Sequence, residues 1–162
     1  MKRELKFRAW DKSAKQMSPE FDLFGEFTLL GAMHDWQMEI APDRGVGTLE
    51  LLNELEVMQF TGLHDKNGKD IYEGDIIAHE RRSKPYSDKC KKAMVKCVVY
   101  WNSALSSAEN KSNPSSFNNN PGFWADPIDR KAKESGWAYD WSEFHNCEVL
   151  GNIHENPYLL EK

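Results

Sequence analysis

The chain is short of cysteine. Cys90, Cys97 and Cys147 are three in 162 residues, with no CxxC pair, which argues against a disulfide framework or a zinc finger and predicts reduced thiols in a cytoplasm. Long apolar runs and an N-terminal leader pattern are also missing, so no membrane partner is expected. The ten glycines form no P-loop, and no GxSxG elbow is present. Nucleotide hydrolysis and serine-type acyl transfer lose their usual supports, and no cofactor is expected. Positive charge is in deficit as well. A formal net charge of -5 argues against a protein that coats nucleic acid over its whole surface.

Core-forming material is ample. Hydrophobic residues make up 40% and aromatics 12%, with six Trp and eight Phe. One domain over residues 1–162 would bury about two-thirds of the surface its unfolded form exposes, without metal or disulfide.

The run Gln59 to Ile77, QFTGLHDKNGKDIYEGDII, constrains shape most closely. Asn67 and Gly68 tolerate positive φ and lie between two short segments with apolar residues, so 65–69 reads as a hairpin turn. A two-residue loop at Asn67-Gly68 would set Lys66 against Lys69 and Asp65 against Asp70, two like-charge pairs in succession. A type I turn over Lys66 and Asn67 with Gly68 left-handed instead sets Asp65 against Lys69, His64 against Asp70 and Leu63 against Ile71. That three-residue loop is the expected register. A calcium loop starting at Asp65 would need Gly at its sixth place and Glu at its twelfth, which hold Asp70 and Ile76.

Elsewhere, Leu5 to Trp10 alternates as a half-buried strand does. Phe21 to Ile40, interrupted by Gly25 and Gly31, suggests short strands with a bend. Thr48 to Glu56 suits either helix or strand, and from Val57 the content favours strand. Met94 to Trp101 reads as a strand returning from a long hairpin that begins at Gly74. Twelve of the twenty-one residues from Asn102 to Gly122 are Ser or Asn, which predicts a mobile loop or insertion within the domain. Phe123-Trp124 would return to the sheet. Asp126-Pro127 resembles the N-cap and first turn of a short polar helix ending near Gly136. Trp137, Tyr139 and Trp141 alternate, Glu148 to Ile153 reads as a last strand, and Asn156-Pro157 as the start of a closing helical turn.

Three blocks then stand together: KFRAWDK (Lys6 to Lys12), MQFTGLHDKNGKDIYEGDII (Met58 to Ile77) and EVLGNIHENPYLL (Glu148 to Leu160). In that order they resemble the YopX family of phage and prophage proteins, over nearly the whole chain. The resemblance implies a mainly β domain built on a small SH3-like, partly open β-barrel with hairpin extensions, a cytoplasmic setting and self-association. It brings no catalytic residues. The residue patterns agree on many short strands and few helices, and do not by themselves identify an SH3-like topology.

Each candidate for chemistry competes with a structural role. Glu73 and Asp75 are two apart, so on a strand both carboxylates would leave one face, as an acid/base pair needs. Two residues at the mouth of a hairpin are more often a solvated strand start, and Asp after Gly is a usual turn residue. His145, Cys147, Cys90, Cys97 and His154 lack zinc-ligand spacing, and buried Cys is commonly a small hydrophobe. Catalytic residues and a metal site are therefore not expected. Arg81 to Lys96 holds seven basic residues against Asp88 alone, a local +6 that leaves the remainder at -11. Small barrels bind nucleic acid with charged loops and exposed aromatics. On that reading Arg81, Arg82, Lys89, Lys91 and Lys92 contact phosphates and Trp101, Trp124, Trp137 and Trp141 stack bases. The favoured reading remains a non-enzymatic accessory protein that presents loops to a protein partner or to its own copies, with nucleic-acid binding as the alternative.

Overall fold

The computed structural model describes residues 4–22, 35–36, 39, 54–82, 92–102, 122–129 and 146–161, with the backbone alone for Asp22, Arg81, Arg82, Lys92, Ala93 and Asn102. The chain is mainly β. Its strands are β1 (Lys6–Asp11), β2 (Gln16–Met17), β3 (Phe21–Asp22), β4 (Leu55–His64), β5 (Asp70–Tyr72), β6 (Asp75–Arg82), β7 (Lys92–Asn102), β8 (Gly122–Pro127) and β9 (Glu148–Asn152), followed by a 3-10 turn at Pro157–Leu160. One sheet has the order β2-β1-β4-β5 with β3 also paired to β1, and the other β8-β7-β6-β9. The chain divides into two compact units, Met1–Gly62 and Leu63–Lys162.

In the first unit, β1 lies antiparallel to β4 from Phe7↔Gln59 to Asp11↔Leu55. Ala9, Phe21, Trp36 and Leu55 form its buried cluster. The fully buried Asp11 closes the β1–β2 turn. Its Oδ1 accepts the Ser13 and Ala14 N–H groups at 2.9 and 2.7 Å, and its carbonyl accepts the Lys15 N–H. This Asx arrangement satisfies donors that the turn would otherwise leave unpaired.

The second unit is built on β6 and β7, paired from Ile76↔Val98 to Arg82↔Lys92, in the four-stranded sheet; one of the two sheets curls as a half-barrel. Period-2 alternation decides which residues enter the core. Val95, Cys97 and Val99 of β7 join Ile71, Ile77, Phe123, Ala125 and Cys147 in one buried cluster, whereas Met94 and Lys96 are exposed. The long β6–β7 hairpin, the return of Phe123-Trp124 and the last strand all agree with expectation. The hairpin tip 83–91, the Ser/Asn-rich segment 103–121 and Trp137, Tyr139 and Trp141 lie outside the described residues.

Two local expectations are corrected. Asp126-Pro127 does not open a helix: both end β8, with Asp126 opposite Val98 and Pro127 opposite Cys97. Cap chemistry was locally satisfied, but the eleven-residue β7 offers a longer partner, and Pro at the last strand position forfeits little pairing. Between Phe21 and Ile40, only Phe21–Asp22 is strand among the described residues, and Asp35, Trp36 and Glu39 have helical backbone. Trp36 and Ile40 are four apart, a spacing that suits a helix face as well as it suits broken strands.

Cys97 and Cys147 are buried free thiols. Burial, with Asp126 and then Cys147 adding repulsion, pushes the Cys97 thiol up to about 12. Burial and the Asp65 carboxylate raise Cys147 to about 11. Since the thiolate is the nucleophile, both should resist alkylation in the native protein and become modified only in denaturant. Mass mapping of labelled peptides checks this, and rapid native labelling of either would contradict the packing. Unfolded thiols ionise near 9.0, so this contribution to stability is complete below pH 9 and is lost as pH rises toward 11–12.

Candidate functional site

The second and third motif blocks converge in the second unit around the turn that joins β4 to β5. The Asp65 N–H donates to the Lys69 carbonyl at 2.8 Å, and the Gly68 N–H donates to the Asp65 carbonyl at 3.0 Å. Gly68 has φ +84 and Asn67 is not left-handed, so the three-residue register holds. His64 Nδ1 meets Asp70 Oδ1 at 2.6 Å, as that register requires.

The Asp65 side chain has a wider role. Oδ1 accepts the N–H groups of Asn67 at 2.7 Å and Lys69 at 3.0 Å, while Oδ2 accepts Val149 N–H from β9 at 3.1 Å. Lys66 N–H donates to the Cys147 carbonyl at 3.0 Å, and its Nζ meets Glu148 Oε2 at 2.6 Å. The turn therefore fastens onto the edge of β9 that faces away from β6. Such a capped edge is withheld from pairing with other chains. Burial alone would raise the Asp65 pKa, but the N–H donors of Val149, Lys69 and Asn67 together outweigh it and hold the carboxyl below its ordinary value.

The Tyr72–Asp75 turn and the segment after β9 meet at the start of β6, where Asp75 stands opposite Asn152. Asp75, 1% exposed, accepts the Tyr72 N–H on Oδ2 at 2.8 Å. Glu73 Oε1 accepts the Trp101 N–H at 3.3 Å. The Gly74 N–H donates to the Val99 carbonyl, and the Gly74 carbonyl accepts the Ile153 N–H, both at 2.9 Å. Asn152 Oδ1 accepts the His154 and Glu155 N–H groups at 3.0 and 2.8 Å, and its Nδ2 donates to Glu155 Oε2 at 2.6 Å. Asn156 Oδ1 in turn accepts the Asn152 N–H at 3.2 Å. The carboxylates of Glu73 and Asp75 thus each accept a different backbone N–H group. Among the described residues no group of three or more His, Cys, Asp and Glu side chains is placed to hold a metal ion.

The sequence-derived basic site is described in part. Arg81 and Arg82 end β6 opposite Ala93 and Lys92, whereas Lys89 and Lys91 lie outside the described residues. Of the stacking candidates, Trp124 is buried and Trp101 is 44% exposed, its ring edge-on to Phe123 at 4.9 Å and 73°. Trp101 stands nine residues along β7 from Lys92, about 30 Å at strand rise. The fold therefore separates this indole from the basic end. The Asp65 clamp and the Asn152 turn escaped the sequence reading; their only trace there was the joint presence of the two motif blocks.

No curated protein matches the chain. A crystal structure of protein EF1440 from Enterococcus faecalis is similar over 97% of this chain and 98% of that one, at 23% identity and a TM-score of 0.40. The model of the YopX protein family matches residues 6–161, taking in all three motif blocks and both compact units. The chain therefore belongs to the YopX family.

Proposed function

We propose that the chain is a non-enzymatic interaction module, phage- or prophage-encoded and acting in the bacterial cytoplasm as one functional unit over residues 1–162. The observation that carries this reading is the employment of the motif polar groups. Asp65, Asp75, Asn152 and Glu73 hold backbone N–H groups, so the motif chemistry builds a frame. Large apolar side chains meanwhile face solvent at Met94 and Tyr158, 61% and 63% exposed, as surfaces that take protein partners do. Affinity purification from prophage-carrying cells, run with the native chain and with a Met94→Ala/Trp101→Ala/Tyr158→Ala variant, tests it. A stoichiometric protein recovered with the first and lost with the second is the expected result. A strictly monomeric protein with no retained partner counts against it.

The second reading is nucleic-acid binding. Its specific support is Arg82 in direct register with Lys92, since like charges opposite each other destabilise a hairpin unless an anion compensates. Phosphate contacts through Arg81, Arg82, Lys89, Lys91 and Lys92 would make affinity fall steeply with salt. Low-salt binding unchanged after neutralising all five sinks this reading.

A further inference from the structure

Asn67-Gly68 is the only Asn-Gly pair in the chain. Asparagine is thermally labile, and most so before glycine, because no Cβ crowds the approach of the following backbone nitrogen to the side chain. In that reaction the Gly68 nitrogen attacks Asn67 Cγ. The N–Cγ bond forms, the Cγ–Nδ2 bond breaks, and water or hydroxide carries the Gly68 proton to the nitrogen that departs as ammonia. Water then opens the cyclic succinimide at either carbonyl, giving aspartate or, with the main chain rerouted through the former side chain, isoaspartate.

Asp65 holds both nitrogens of this reaction. The attacking one, Gly68 N–H, donates to the Asp65 carbonyl at 3.0 Å. The leaving one, Asn67 Nδ2, donates to Asp65 Oδ2 at 3.4 Å, and the Asn67 N–H donates to Oδ1 at 2.7 Å. Solvent has access, since Asn67 and Gly68 are both exposed and a Cβ built on Gly68 would meet nothing within 4 Å. The protection is therefore conformational and not steric. Oδ2 is also the atom that accepts the Val149 N–H from β9 at 3.1 Å. Converting the Asn67 amide to a carboxylate removes its donor and sets a second negative charge against that oxygen.

We propose that Asn67-Gly68 is a modification site that the Asp65 turn holds closed, and that its deamidation irreversibly loosens the turn from β9. This goes beyond the interaction-module reading and does not depend on it.

Timed incubation of the full chain in warm, mildly alkaline buffer, followed by peptide mass mapping, tests the protection. Conversion of Asn67 should be at least about tenfold slower in the native chain than in the same chain unfolded in urea. Asp65→Ala, verified as folded by circular dichroism, should convert at least about threefold faster than native. If Asp65→Ala unfolds, Asp65→Asn takes its place, since it keeps one acceptor oxygen. Hydrogen exchange at the Val149 amide reads the coupling: it should rise at least about tenfold in the isoaspartate-containing chain and about threefold in Asn67→Asp, which adds the charge without rerouting the backbone. Absence of conversion even in urea overturns the site. Equal rates in native and unfolded chains, or a folded Asp65 variant that converts at the native rate, overturn the protection by Asp65. Val149 exchange that is unchanged after conversion overturns the coupling to β9.

Discussion

Asp65→Ala is expected to lower unfolding free energy by about 3 kcal/mol, the scale of losing more than one hydrogen bond to a charged acceptor. Three backbone N–H groups, those of Asn67, Lys69 and Val149, converge on this carboxylate. Alanine would leave the turn without its organising acceptor and free the edge of β9 together. Asp65→Asn should recover part of the loss, since an amide keeps one acceptor oxygen but turns a donor toward the remaining N–H groups. The acid dependence follows from the lowered folded pKa. The contribution is complete above the ordinary value of 3.8 and disappears as pH falls through the lower folded value. Urea unfolding of the native chain and Asp65→Asn at pH 7 and pH 3 makes the comparison. The native chain should lose more stability over that interval. Equal losses, or Asp65→Ala within about 0.5 kcal/mol of native, would show that the clamp contributes nothing.

Gly151→Ala should cost about 2 kcal/mol, within the range for forced overpacking. A Cβ at this position would land on the side chain of Asn156. That side chain cannot swing aside freely, because its Oδ1 accepts the Asn152 N–H and its Nδ2 donates to the Tyr158 hydroxyl at 3.4 Å. Asn156→Ala alone should cost about 1 kcal/mol for the lost hydrogen bonding. The double variant should be less destabilised than the two singles added together, since removing Asn156 makes room for the new methyl. Strict additivity in thermal or urea unfolding would mean that Gly151 is required for another reason.

How much of this was legible in the sequence depended on the distance between interacting residues. The turn at 65–69 could be read to its register because Asp65, Asn67 and Gly68 are neighbours, and the rival register placed like charges together. The Val and aromatic content of Met94 to Trp101 likewise announced a strand there, and the structure forms β7 over it. The same local reasoning failed at Asp126-Pro127, where an attractive helix start was overridden by pairing with Val98 and Cys97 nearly thirty residues earlier. The candidate site was less readable still. Nothing near Asp65 signals a donor at Val149, 84 residues away, and Trp101 and Trp124 look alike in sequence although one is exposed and the other buried. Charge was the exception: a dense run such as 81–96 is visible in one dimension, although its separation from Trp101 by the length of a strand is not.

The fastening of the first hairpin of the second unit by its last strand also fixes when that unit can be finished. On the ribosome, residues 63–82 and 92–102 emerge well before Glu148–Asn152 exists, so β6 waits with one side unpaired and Asp65 waits without Val149. Closing contacts so far apart in sequence is slow compared with forming a local hairpin. Newly made chains thus pass through an interval in which the β6 edge is open to strangers, and the speed with which β9 arrives decides how long that exposure to aggregation lasts.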